Sequence, residues 1–185
     1  QSINRTSQHL SNTIDDFRYF FKPQKSKEDF YLSLCCNKTI DLLQANFVEK
    51  NIKIIDNIQD VKVNGYETEL IQVLINILNN AKDALESFEN ENRLIFIDIN
   101  KKNKKAFIEI KDNAGGIDPL ILEKIFEPYF TTKHQTQGTG IGLYMCQEIL
   151  FKHMNGNINI SNCEFEYKNK KYKGTLATVI LNAIE

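Results

Sequence analysis

A stretch with helical periodicity in the middle of the chain carries an unusual row of amide side chains. In ELIQVLINILNNAKDALESF, residues 69–88, Asn76, Asn80 and Asp83 follow one another at positions i, i+4 and i+7, beside a separate apolar face. Asparagine is a poor helix former because its amide competes for backbone hydrogen bonds. A solvated face explains Asn79, but for Asn76 and Asn80 we favour a ligand role. Amide oxygens suit Mg2+, a hard cation that typically bridges to substrate phosphates.

A carboxylate at the end of a strand is the second candidate. IEIKDNAGGID, residues 108–118, alternates as a strand up to Asp112 and then breaks at Asn113-Ala114-Gly115-Gly116. A carboxylate fixed there can accept a hydrogen bond from an exocyclic amine, which would select adenine over guanine. Adjacent glycines would let a flat base lie against the backbone. Taken alone, the same residues are better explained by an Asx-type turn.

GTGIGL, residues 138–143, is the third candidate and has the composition of a phosphate-binding loop. No lysine follows in a G-K-[ST] pattern and no strand, glycine loop and helix unit precedes it. It is therefore neither a Walker loop nor a dinucleotide fingerprint. The segment instead opens a helix predicted from about Ile141 to Met154, whose free N–H groups and dipole would face an anion.

These residues must be positioned by a mixture of helices and strands. The patterns predict a helix over residues 1–22 that ends before Pro23, and we favour half of a helical hairpin or dimer seam over a terminal helix docked on the domain. Further along, the patterns predict helices from Ser33 to Lys50, from Glu67 to Phe88 and from Pro119 to Ile125. They predict two strands at 53–55 and 60–63 that end in an Asn64-Gly65 turn, and a hairpin of 93–102 with 105–113. The last two predicted strands, 155–161 and 173–181, are joined by the basic turn KNKKYK.

The predicted core is built on the helix over residues 67–88. The strands group mostly antiparallel, which favours a two-layer sandwich over a doubly wound parallel sheet. The apolar face of this helix comprises Leu70, Val73, Leu74, Ile77, Leu78, Ala81 and Leu85.

Four motifs, in this order and spacing, resemble the N, G1, F and G2 boxes of the catalytic and ATP-binding domain of sensor histidine kinases, in the gyrase, Hsp90, histidine kinase and MutL superfamily. The motifs are Glu69-Leu70-x-Gln72-Val73-Leu74-x-Asn76 with Asn80-Ala81-x-Asp83-Ala84, then Asp112-Asn113-Ala114-Gly115-Gly116-Ile117, then Phe126-Glu127-Pro128-Tyr129-Phe130-Thr131-Thr132-Lys133, and finally Gly138-Thr139-Gly140-Ile141-Gly142-Leu143. The resemblance covers residues from about 30 onwards. It implies an α+β, two-layer sandwich of the Bergerat type, with a mixed, mostly antiparallel sheet covered by helices on one face, plus an N-terminal helix.

The resemblance also assigns roles to matching positions. Asp112 would recognise adenine, and Asn80 would bind Mg2+. Thr175 would contact the adenine site through a water molecule. Asn76, one helical turn from Asn80, and Lys133 would be the catalytic residues beside the phosphates. Lys133 lies in an implied ATP lid over about 126–140, which is mobile until nucleotide binds. Many relatives have glycine where this chain has Ala114. The full implied ATP-binding set is Asn76, Asn80, Asp83, Asp112, Ala114, Gly116, Ile117, Phe126, Thr131, Thr132, Lys133, Gly138, Thr139, Gly140, Ile141, Gly142, Leu143 and Thr175.

The implied reaction is transfer of the γ-phosphate of ATP to a histidine. Where ATPase branches of the superfamily carry a water-activating glutamate, this chain has Asn76, which cannot act as a base. The family acceptor is a histidine on the first helix of a two-helix dimerisation hairpin. Residues 1–24 resemble the second helix, and residues 25–185 the catalytic domain. The acceptor would be absent from this chain, since neither His9, His134 nor His153 has its sequence context.

The resemblance implies ATP, the hairpin of the same protein and a response regulator receiver domain as partners, with a homodimer as the full-length state. Three alternatives stay open: a standalone ATPase or ATP-gated clamp using Glu69 as base, a serine/threonine kinase, and a non-catalytic nucleotide-binding module.

Composition excludes several other classes. Lys and Arg (23) balance Asp and Glu (24), so we expect no nucleic acid partner. The four cysteines lack zinc-site spacing and are expected as reduced thiols in a cytoplasmic domain. No apolar run is long enough to span a bilayer, and the first residues have no signal-peptide pattern; a membrane sensor would lie outside this chain.

Overall fold

The computed structural model describes residues 26–89, 92–132 and 138–185. The helix predicted over residues 1–22, and with it the hairpin segment, lies outside these ranges. The elements in chain order are β1 (Glu28–Tyr31), α1 (Leu32–Glu49), β2 (Ile52–Ile58), β3 (Lys62–Gly65), α2 (Glu67–Ser87), β4 (Arg93–Lys102), β5 (Lys105–Asp112), α3 (Pro119–Leu122), α4 (Gly142–Met154), β6 (Asn157–Tyr167) and β7 (Lys170–Asn182).

The main sheet has five strands in the order β2-β4-β5-β7-β6. β2 pairs with β4 in parallel, and the other neighbours pair antiparallel. β1 and β3 form a separate two-stranded antiparallel sheet. The prediction of a mixed, mostly antiparallel sheet is confirmed, as is the hairpin that joins β4 to β5.

One face of the main sheet packs against the helices and forms the core. Ile95, Ile97 and Ile99 alternate along β4 and are all fully buried, as the period of a strand with one covered face requires. They join a single apolar cluster with every residue of the predicted apolar face of α2. Helices on one side of the sheet give the predicted two-layer α+β sandwich.

Two predicted turns were wrong, because most of their residues belong to strands whose pairing partners the sequence pattern does not reveal. Asn64 and Gly65 do not form a turn; they end β3, opposite Asp29 and Glu28 of the unpredicted strand β1. The KNKKYK segment is mostly strand, because β6 and β7 remain paired as far as Tyr167↔Lys170. Only residues 168 and 169 turn the chain, with φ values of 51° and 60°.

The short helix α3 is also shorter than predicted. It ends at Leu122 rather than near Ile125. Its start is well specified, because the Asp118 side chain accepts a hydrogen bond from the Leu120 N–H at 2.8 Å and Pro119 occupies the first turn.

Candidate functional site

Helices α2 and α4 run antiparallel, and this brings the amide row to the start of α4. At one end of the contact, Glu69 Oε2 lies 2.8 Å from His153 Nδ1. At the other, a Cβ built on Gly142 would lie 3.5 Å from Asn76 Oδ1. Glu69 near the start of α2 contacts His153 near the end of α4, whereas Asn76, further along α2, lies beside Gly142 at the start of α4. The two helices therefore run in opposite directions. Asn76 therefore faces the first turn of α4.

The first turn of α4 has the features of an anion-binding helix start. Its N-cap residue is Ile141, whose side chain makes no capping hydrogen bond, and the first turn has no acidic residue. The backbone N–H groups at such an end have no partner within the helix and carry partial positive charge. An uncapped helix start beside an amide oxygen can bind a phosphate together with its counter-cation.

The glycine-rich segment before α4 is held by a backbone hydrogen bond to Tyr129. The Tyr129 N–H donates to Gly140 O at 2.9 Å. Gly140 has a φ of +68°, and a Cβ there would lie 2.4 Å from the Tyr129 carbonyl carbon. Gly140 is therefore required by the fold itself, whereas at Gly142 a Cβ would meet Asn76 at an ordinary contact distance.

Asp112 lies at the end of β5 and is 5% exposed. Its Oδ1 accepts hydrogen bonds from the Ala114 N–H at 2.8 Å and the Thr175 N–H at 3.2 Å. The first of these bonds is the Asx-type turn, so that turn and a strand-end carboxylate coexist. Burial raises the pKa of Asp112, and the hydrogen bonds from Ala114 and Thr175 oppose that rise.

Gly174 is a site residue that the sequence reasoning missed. A Cβ on Gly174 would lie 1.8 Å from Asp112 O, so β7 can cross Asp112 only with glycine at this position. The residue after it, Thr175, supplies one of the two N–H groups that hold the Asp112 carboxylate. The available signal was the Gly174-Thr175 pair itself, which marks a close backbone approach next to a polar side chain.

The loop after Asp112 is fixed by hydrogen bonds to two different strands. Asn113 is 1% exposed, and its amide accepts from the Leu94 N–H and donates to Asn92 O, both at 2.8 Å. The Gly115 N–H donates to Lys173 O at 3.0 Å. The loop is therefore anchored to β4 on one side and to β7 on the other.

The remaining predicted residues are placed less specifically. Asn76, Asn80 and Asp83 are all half-buried along α2, and Asp83 Oδ1 lies 3.4 Å from Lys82 Nζ. Phe126 packs against the core. Lys133 and the other lid residues up to 137 lie outside the described residues, so the mobility of the lid and the role of Lys133 stay predictions. Exposed positions are Thr132 and Thr139; half-buried positions are Gly116, Ile117, Thr131, Gly138, Ile141 and Leu143.

In the described ranges, no group of three or more His, Cys, Asp or Glu side chains could hold a metal ion. No helix of those ranges is long and apolar enough to cross a membrane. All four cysteine thiols are free. The amide oxygens of Asn76 and Asn80 along α2 are donors of the type that suits Mg2+.

The family model described as histidine kinase-, DNA gyrase B- and HSP90-like ATPase matches residues 65–184. The chain belongs to this ATPase family. The match runs from the residue at the end of β3 through β7, and so contains the amide row, Asp112 and the start of α4.

Two similar proteins are a two-component sensor and a histidine-protein kinase. The two-component sensor PprA of Pseudomonas aeruginosa is 38% identical over 107 residues, 56% of this chain and 12% of that protein. The signal transduction histidine-protein kinase AtoS of Escherichia coli is 30% identical over 83% of this chain and 25% of its own length. This chain therefore spans a quarter or less of either relative.

Among solved structures, the catalytic domain of histidine kinase ThkA superposes with a TM-score of 0.71 at 28% identity, over 85% of this chain and 96% of that one. Together these likenesses identify the chain as a catalytic, ATP-binding domain of the histidine kinase type, with the Bergerat fold.

Proposed function

We propose that this domain binds Mg2+-ATP between α2 and α4 and transfers the γ-phosphate to a histidine on a dimerisation hairpin of the same protein. A response regulator receiver domain then takes the phosphate, and the full-length protein acts as a homodimer in the cytoplasm. The observation that carries the proposal is the placement of Asn76 against the uncapped first turn of α4. Residues 1–24 would belong to the hairpin and 25–185 to the catalytic domain.

Each side chain has a distinct task in this proposal. Asp112 accepts the adenine amine, and Thr175 supports the base through water. The first turn of α4 and Lys133 hold the phosphates, and Asn80 is the Mg2+ ligand. The cation, when bound, neutralises phosphate charge and favours attack at the γ-phosphorus.

Asn76 decides between transfer and hydrolysis. An amide has no basic lone pair with which to activate water, so the γ-phosphate awaits an external nucleophile. A ring nitrogen of the acceptor histidine then forms the new N–P bond, while the bond from the γ-phosphorus to the bridging oxygen breaks and ADP leaves with the electron pair. The name of PprA, a two-component sensor, supports the onward relay.

The ATPase alternative requires Glu69 as the general base. Its carboxylate lies 2.8 Å from His153 Nδ1, at the opposite end of the α2–α4 contact from Gly142. Seven residues of helix separate it from Asn76, which is roughly 10 Å along the axis. This placement argues against water activation at the phosphate site.

The test combines nucleotide binding with phosphotransfer. Calorimetric titration of the chain with ATP and Mg2+ should show binding, and labelled ATP should leave acid-labile label on a separately produced histidine-bearing hairpin from the full-length protein. Asn80→Ala should lose the Mg2+ dependence. Asn79→Ala is the matched control, because it removes an amide from the neighbouring position of the same helix.

The competing functions predict different outcomes. Steady phosphate release that disappears in Glu69→Gln would establish the ATPase reading. Label on a serine or threonine of another protein would establish the serine/threonine kinase alternative. Binding without any transfer would leave a nucleotide-binding module, and no heat from a folded sample would refute the nucleotide site altogether.

A further inference from the structure

Asn162 of β6 holds the loop that follows Asp112 through two hydrogen bonds to a single residue. The Ile117 N–H donates to Asn162 Oδ1 at 2.7 Å, and Asn162 Nδ2 donates to Ile117 O at 2.7 Å. This bidentate pairing copies what a neighbouring strand would provide, although Ile117 belongs to no strand. One side chain thereby fixes both backbone groups of Ile117.

The contact between Asn162 and the loop is tight. A Cβ built on Gly116 would lie 2.7 Å from Asn162 Oδ1, so the loop backbone closes directly onto the amide. Asn162 is itself exposed, and its amide is therefore not needed to fill the core. Its position follows from β6 alternation, because Ile158 and Ile160 on the same face pack in the core and Asn162 is next.

Asn162 is also in register with the residues around Asp112. It lies opposite Thr175 of β7, whose N–H donates to Asp112 Oδ1. The two ends of the loop are therefore held by one strand pair: Asp112 at its start through Thr175, and Ile117 at its end through Asn162.

We propose that Asn162 is a positioning residue for nucleotide binding, which presets the loop from Asp112 to Ile117 for the adenine base. This inference rests on the proposed function, in which that loop lines the adenine end of the site. A loop already held in its bound geometry loses less conformational entropy when ligand binds. Removal of the amide should consequently weaken nucleotide binding more than it weakens the fold.

The experiment measures ATP and ADP dissociation constants and the unfolding midpoint without nucleotide for three variants. Asn162→Ala removes both hydrogen bonds. Asn162→Asp keeps an acceptor for the Ile117 N–H but sets a second oxygen against Ile117 O. Asn159→Ala is the matched control, since Asn159 lies exposed on the same strand opposite Thr178.

Both Asn162 variants should raise the dissociation constants of ATP and ADP alike, by about tenfold, while the unfolding midpoint stays near that of the wild type. The losses should be parallel because the loop lies at the base rather than at the γ-phosphate. The control should bind both nucleotides as the wild type does.

Unchanged affinity in both Asn162 variants would overturn the inference, as would a lowered midpoint with unchanged affinity, which indicates a purely structural side chain. Should Asn162→Ala fail to fold, Asn162→Asp alone decides. A folded wild-type chain that binds no nucleotide would refute the proposed function, and the inference with it.

Discussion

Asp112 serves two opposing requirements at the residue scale. Its carboxylate is buried, which raises its pKa above the ordinary value of 3.8, yet the proposed contact with adenine uses it as an acceptor. Asp112→Asn removes the buried charge and keeps an oxygen for the Ala114 and Thr175 N–H groups. We expect an unchanged or higher unfolding midpoint together with an ATP affinity about 10- to 150-fold weaker, as for loss of a hydrogen bond to a charged group.

The stability difference should depend on pH in one direction. A raised pKa means that the folded state holds the proton more tightly, so the contribution of Asp112 falls as pH rises from 3.8 through the raised pKa. The advantage of Asp112→Asn should be largest at neutral pH and shrink as pH is lowered through that range. Thermal unfolding from pH 7 to pH 4 measures it, and an advantage that grows toward acid would contradict the burial argument.

Sequence reasoning at this scale identified side chains by their chemistry but not by their partners. The apolar face of α2 was predicted residue by residue, because helical periodicity is a local property. Gly174 and Asn162 were missed, because each matters only through a contact with a residue more than 40 positions away. The Gly174-Thr175 pair indicates a close backbone approach but not its partner, and no local pattern marks Asn162.

At the scale of elements, the start of α4 separates glycines required by the fold from glycines available to a ligand. Gly140→Ala places a side chain at φ +68° and 2.4 Å from the Tyr129 carbonyl carbon. We expect it to lower the free energy of unfolding by about 1–3 kcal/mol, because both the backbone and the contact are strained.

Gly142→Ala should behave in the opposite way. Alanine favours helix over glycine, and the added Cβ meets Asn76 Oδ1 at an ordinary 3.5 Å, so stability should be unchanged or slightly higher. The methyl group faces the proposed phosphate position, and ATP affinity should fall. Urea unfolding and ATP titration of both variants test this; equal stability of the two would refute the distinction.

Elements with a strong internal period were predicted closely, and short ones were not. The helix expected over 67–88 is α2, Glu67–Ser87, and the expected β4–β5 hairpin is present. β1, with four residues, was missed because so short a segment has no period to recognise and is defined by its pairing with β3. The same pairing turned the expected Asn64-Gly65 turn into strand.

At the scale of the whole molecule, the packing of the helices onto the sheet protects most of the thiols. Cys35, Cys36 and Cys146 are buried, and burial raises the pKa of Cys36 and of Cys146 to about 12. Cys163 is half-buried with a pKa that burial also raises. We expect a thiol reagent to label Cys163 first in the native chain, because it is the one cysteine of the four that is not buried and thiolate formation controls the rate.

Mass spectrometry of labelled peptides measures the order in which the four cysteines react. The urea-unfolded chain is the control, because all four thiols react there. Rapid native labelling of Cys146 would show that the α2–α4 contact opens, since its sulfur lies 3.8 Å from Val73 O within that contact. Slow labelling of Cys146 would support a site that is assembled before ligand arrives.

The hydrogen bond from the Tyr129 N–H to Gly140 O has a consequence for how such domains can diversify. This hydrogen bond holds Tyr129 and Gly140 next to each other, so any segment inserted between them has its two ends close together. The entropy of closing a longer insert grows only slowly with its length. We therefore expect this position to tolerate inserts of different length without displacement of the start of α4.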